Sequence, residues 1–122
     1  MLRKENRLKN KRAYKATYCN NNIASDNSII LYAGKLKEDK NCPTRVGFVV
    51  SKKVHKRATK RNRIKRLIRE NIRLMIKNNE LGNLDNFQSL IFMAKQESLN
   101  KNFNEIRNTI LILMDKIANK KL

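Results

Sequence analysis

Acidic residues are scarce in this chain: ten Asp and Glu stand against 29 Lys and Arg, a formal net charge of +19. That balance excludes a self-neutralising surface and points to a polyanionic partner, because crowded cations repel one another. Aromatic residues are few, three Tyr and four Phe with no Trp, which argues against a large stacking platform for single strands. Two cysteines, Cys19 and Cys42, and a single His55 are too few for a zinc site. Two thiols in a Lys-rich chain with no signal segment read as a cytoplasmic protein. No apolar run approaches the ~18 residues of a membrane span, so no membrane partner is expected. The acids are scattered, with no DxD or ExxH pattern, and this speaks against a protein-only nuclease built on metal-binding carboxylates. His55 has no acid or second His beside it and is not read as a general base.

What is present is concentrated. Residues 52–69, KKVHKRATKRNRIKRLIR, hold ten Lys or Arg and no acid. Glu70 is the one acid among thirteen bases between positions 45 and 77. Residues 1–21 add seven bases and one acid, whereas residues 78–122 hold six bases and five acids, an ordinary surface. The charge run is also amphipathic. Ile64, Leu67, Ile68, Ile72 and Met75 recur at helical spacing and form one apolar stripe. At roughly 100° per residue, Asn62, Arg66, Arg69 and Arg73 project from the other side, with Lys65 and Arg63 on the flanks. Arg61 falls near the apolar edge and should face whatever packs beside the helix. A solvated charged face is the bland reading, but such faces mix signs. A helix over residues 60–77, with Thr59 as its cap, therefore combines a core face with a fixed array of cations for phosphates.

The rest of the 122 residues, with no repeat or long linker, suits one domain around one modest core. The first ten residues, MLRKENRLKN, read as a mobile basic arm leading into a short helix that Asn20, Asn21 and Asn22 end. Tyr14 and Tyr18 are four apart on that helix and share a face; half-buried packing and a stacking surface fit them equally. Strands are expected over residues 23–25, 28–37, 45–52 and 87–95. A last helix capped by Ser98 carries Leu99, Phe103, Ile106, Ile110, Leu113, Met114 and Ile117 at helical spacing and reads as core packing. The order, helix, strands, helix, strand, helix, is α+β, and by the general rule its crossover would be right-handed.

The chain resembles the protein subunit of bacterial ribonuclease P. The likeness rests on RVGFVVSKK (45–53), RNRIKRLIRE (61–70), RLK (7–9) ahead of paired aromatics, and LY (31–32). It implies a single RNA-binding domain over residues 1–122 with an αβββαβα fold and a left-handed βαβ crossover, against the general rule. It implies an accessory subunit of an endoribonuclease that removes the 5′ leader of precursor tRNA, with catalysis residing in a Mg²⁺-dependent RNA subunit and no metal on the protein. The partners it implies are that catalytic RNA, bound one to one, and precursor tRNA. Arg61, Asn62, Arg63, Lys65, Arg66 and Arg69, with Lys52 and Lys53 nearby, would face RNA, and Tyr14, Tyr18 and Tyr32 would line a cleft for the single-stranded leader. Members of the family usually carry Phe at the position of Tyr14, and often at that of Tyr18, so this cleft has added hydroxyls. A non-catalytic ribosomal-type RNA-binding protein is the competing reading. It would share the charge and the basic helix but not this arrangement of Ser-Lys-Lys, Arg-Asn-Arg and aromatic helix.

Overall fold

The structure is a computed structural model and describes residues 2–20 and 22–119. Its elements run α1 (Lys11–Cys19), β1 (Asn22–Ser25), β2 (Ile29–Ala33), β3 (Arg45–Val49), α2 (Ala58–Lys77), β4 (Ser89–Ala94) and α3 (Phe103–Ala118), the expected αβββαβα order. The four strands form one sheet in the order β1-β2-β4-β3. β1 with β2 and β2 with β4 are antiparallel, while β3 lies parallel to β4. A parallel pair cannot be closed by a hairpin, so α2 is the crossover that returns the chain to the sheet. This puts β3 at an edge.

Two-residue alternation sorts the side chains. Leu31 pairs with Phe92, and Phe92 with Phe48; Ala33 pairs with Leu90, and Leu90 with Val46. These residues share the face on which α2 and α3 lie. Ile64, Ile68, Ile72 and Met75 of α2 and Ile106, Ile110, Leu113 and Ile117 of α3 are buried in that core. Each fully buried apolar side chain contributes ~1.5–3 kcal/mol. A cation in the positive first turn of a helix costs only ~0.3–1 kcal/mol. The apolar stripe therefore holds α2 in place although its first turn has no acid. The other face of the sheet carries Tyr32, Gly47 and the fully buried Ile91, and α1 lies across it.

Three expectations change. α2 begins at Ala58 with Arg57 at the N-cap position, so Thr59 is inside the helix rather than capping it. Arg61, a donor only, leaves the first N–H groups of α2 without a side-chain cap; its Nη1 instead donates to the carbonyls of His55 (2.8 Å) and Lys56 (3.0 Å) and so holds the turn that leads into the helix. α3 begins at Phe103, not after Ser98. Asn102 and Glu105 form a reciprocal capping box, which satisfies two backbone N–H groups at once. Ser98 instead bonds the carbonyl of Lys95 in a 3-10 turn spanning Gln96–Asn100. Residues 2–10 are a packed segment, not a mobile arm. Leu2, Asn6 and Leu8 are buried, a 3-10 turn covers Lys4–Asn6, and Asn6 donates to the carbonyl of Thr44. Leu8 N–H donates to Val46 O, and Arg7 forms an isolated parallel bridge with Val46, so the segment lies along the outer edge of β3.

The far end of α2 closes on Asn79, whose φ of 55° is left-handed. Glu80 N–H reaches Met75 O and Asn79 N–H reaches Ile76 O, the doubled bond of a Schellman ending. This turn delivers Glu80 to Arg107 of α3 at 2.7 Å.

Candidate nucleic-acid interface

The basic helix divides its cations by what they touch. Asn62 and Arg66 are exposed, and Lys65 is half-buried on the flank. Arg63 is turned toward α3: Nη1 donates to Leu99 O (3.1 Å) and Nη2 to Lys101 O (3.3 Å). Together with Asn71, whose Nδ2 reaches Phe103 O, it ties α2 to the chain entering α3. Asn71 Oδ1 has no hydrogen-bond partner among the described residues. Arg73 leaves the outward row altogether, bound through Nε and Nη2 to Glu70. That bond holds the Glu70 carboxyl below its ordinary pKa. The one acid of the run thus pairs with Arg73, a cation beyond its dense end, and leaves the dense end itself unneutralised. Lys52 and Lys53 sit exposed on the turn after β3, with Arg57 and Lys60 adding two further exposed cations.

The aromatic cluster lies on the other side of the sheet. α1 is capped by Asn10, whose side chain accepts from Ala13 N–H, and buries only Thr17. It is anchored by the Thr17 Oγ1 to Ser89 Oγ bond at 2.6 Å and by tyrosines. Tyr18 meets Tyr32 edge-on, ring centroids 4.8 Å apart, and Tyr14 is 6.5 Å from Tyr18. All three are half-buried. Burial raises the Tyr14 phenol above its ordinary value; burial and then the neighbouring tyrosines do the same for Tyr18. Both hydroxyls remain protonated donors at neutral pH. An open groove of about 460 Å³ runs past Tyr14 and Tyr18 and is rimmed by Lys9, Lys11 and Lys15.

The two clusters meet at the edge of β3. A crevice of about 350 Å³ is lined by Tyr14 from α1, Arg69 from α2, Arg7, Gly47 and Phe48, with Leu2, Leu8 and Val46 behind. The Arg69 guanidinium lies 5.7 Å from the Phe48 ring centre, and Phe48 stacks on Phe92. Arg69, expected on the outer row, is therefore half-buried at the rim between the helix and the tyrosines. Gly47 and Phe48 were not among the expected site residues. In sequence Phe48 reads only as one of three alternating apolar side chains, and nothing local marks β3 as an edge. A larger hollow of about 790 Å³ lies elsewhere, under residues 37–44. Two of its cations are already paired, Lys37 with Asp85 and Arg73 with Glu70. No group of three or more His, Cys, Asp or Glu among the described residues is placed to hold a metal ion. None of the described helices is long and apolar enough to cross a membrane.

A small α+β protein with a cationic helix beside an aromatic crevice is an RNA-binding protein by its chemistry. A family model described as Ribonuclease P matches residues 2–118. The chain is 36% identical over 110 residues to the ribonuclease P protein component of Clostridium kluyveri, covering 90% of this chain and 92% of that one. It is 30% identical over 115 residues to that of Symbiobacterium thermophilum, covering 94% and 93%. It superposes on the RNase P protein from Staphylococcus aureus with a TM-score of 0.72 at 25% identity, covering 100% and 98%. The RNase P protein from Thermotoga maritima shares the fold, with a TM-score of 0.71 at 21% identity and coverage of 90% and 96%. The chain belongs to the ribonuclease P protein family. It is the accessory, non-catalytic protein component of the ribonucleoprotein that processes tRNA 5′ leaders.

Proposed function

We propose that the whole chain acts as a single RNA-binding domain that grips two RNAs at once. The outer row of α2, with Asn62, Lys65 and Arg66 and the adjoining Lys52 and Lys53, holds phosphates of the catalytic RNA; Arg61 and Arg63 fix that row while presenting their remaining nitrogens to the same RNA. Tyr14, Tyr18 and Tyr32 receive the single-stranded leader of precursor tRNA, and Arg69 stands where the two surfaces meet. The Mg²⁺ ions of the reaction are held by the RNA, the protein binds that RNA one to one, and the complex works in the cytoplasm. The observation that carries this reading is the crevice at the edge of β3, lined jointly by Tyr14 of α1 and Arg69 of α2. A single strand needs flat side chains for its bases and cations for its backbone, and the crevice supplies both.

The test is to add the protein to a bacterial ribonuclease P RNA and precursor tRNA at low Mg²⁺. Cleavage should be restored to a rate the RNA alone does not reach, and precursor should bind the holoenzyme more tightly than mature tRNA. A protein that binds the catalytic RNA yet leaves both quantities unchanged does not have this function. Protein without RNA should cleave nothing.

A further inference from the structure

Tyr18 of α1 meets a sheet side chain, Tyr32, whereas a ring of α1 can reach the sheet backbone only where the sheet offers no side chain. Under Tyr14 that place is Gly47, in the middle of β3. A Cβ at position 47 would stand 2.5 Å from Tyr14 Oη, 2.7 Å from Cζ and 2.8 Å from Cε1. Those separations are well inside van der Waals contact, so the end of the Tyr14 ring rests directly on the β3 backbone. Gly47 is buried by that ring. The ring also forms one wall of the crevice that Arg69 borders. The absent side chain thus sets how far the wall stands from the opposite rim.

We infer that Gly47 is a positioning residue for leader recognition: it lets the end of the Tyr14 ring rest on β3, and so fixes the height at which a leader base stacks. The inference rests on the reading of Tyr14 as part of the leader cleft. A methyl at position 47 has one easy escape, because the atoms it meets are the far end of a side chain with two rotatable bonds. The ring swings away and the backbone stays. Gly47→Ala should therefore fold, with the platform displaced.

The experiment measures precursor and mature tRNA affinity of holoenzymes assembled with Gly47→Ala, Tyr14→Ala, Tyr14→Phe/Gly47→Ala and Tyr14→Ala/Gly47→Ala, with a melting curve for each protein. Gly47→Ala should weaken precursor binding by about tenfold, a loss the size of one stacked base, and leave mature tRNA unchanged. Phe at position 14 keeps the Cζ and Cε1 clash, so it should not rescue. Tyr14→Ala should lose a similar factor by itself, and adding Gly47→Ala to it should change nothing further, because no ring remains to be displaced. Full precursor affinity in Gly47→Ala, with the loss in Tyr14→Ala intact, overturns the role of Gly47 and spares the leader cleft. A second loss of the same size when Gly47→Ala is added to Tyr14→Ala also overturns it. If Tyr14→Ala itself keeps the preference for precursor, the cleft reading falls and the inference with it.

Discussion

Arg63 and Arg66 are three residues apart on one helix and carry the same charge, yet their surroundings give them different work. Arg63 spends two nitrogens on main-chain carbonyls of the segment leading into α3; Arg66 is exposed and makes no hydrogen bond to the described residues. A neutral hydrogen bond nets ~0.5–1.5 kcal/mol and charged donors somewhat more, although exposure discounts both bonds here. Arg63→Ala should therefore lower the melting midpoint of the free protein by roughly 2–5 °C, whereas Arg66→Ala should leave it in place. The salt dependence of RNA binding should show the opposite ranking. Arg66→Ala should flatten the slope of log K against log salt by about one contact, ~0.7–0.9. Arg63→Lys keeps the charge but not the forked geometry, so it should melt like Arg63→Ala and keep the parent's slope. Equal melting midpoints for all four proteins would show that Arg63 has no tethering role.

At the scale of elements, the capping box of α3 gives a direct comparison. Asn102→Ala removes a cap worth ~1 kcal/mol and should depress the melting midpoint by roughly 3–6 °C. Ser98→Ala leaves both capping bonds intact and should cost less; a reversed order would return the helix start to Ser98. This was also the kind of place where sequence reading went astray. Ser98 precedes an apolar-periodic run and looks like a cap, but Asn102 and Glu105 carry the stronger, paired signal four residues later. The apolar stripe of α2, the presence of strands at β2 and β3, and the shared face of Tyr14 and Tyr18 were legible, because each depends on local pattern. The packing of residues 2–10 was not. Leu2 and Leu8 are set among charged neighbours at no regular period, and their burial exists only because β3 is an edge that needs covering. That Arg69 and Tyr14 line one crevice was hidden for the same reason: it depends on strand order, which local spacing does not encode.

At the scale of the whole molecule, the excess of cations makes binding to the catalytic RNA a counterion-release process. If about five or six phosphates are neutralised, the slope of log K against log salt should be roughly −4 to −5 at ~0.7–0.9 per contact. A slope near zero would mean that the helix array is not a phosphate surface. The way residues 2–8 lie along β3 has a consequence of another kind. An uncovered outer strand offers a row of unmatched peptide groups to any other chain, and is a template for aggregation. Here the Leu8 to Val46 bond and the Arg7 bridge occupy part of that row, with two apolar anchors beneath and charged neighbours outside. On this ground the amino-terminal segment should keep copies of this protein apart before RNA covers them. A protein beginning at Lys9 should retain α2 and its charge, yet scatter light and form sedimenting oligomers at concentrations where the parent stays monodisperse. If it stays equally monodisperse, the segment has no such guarding role.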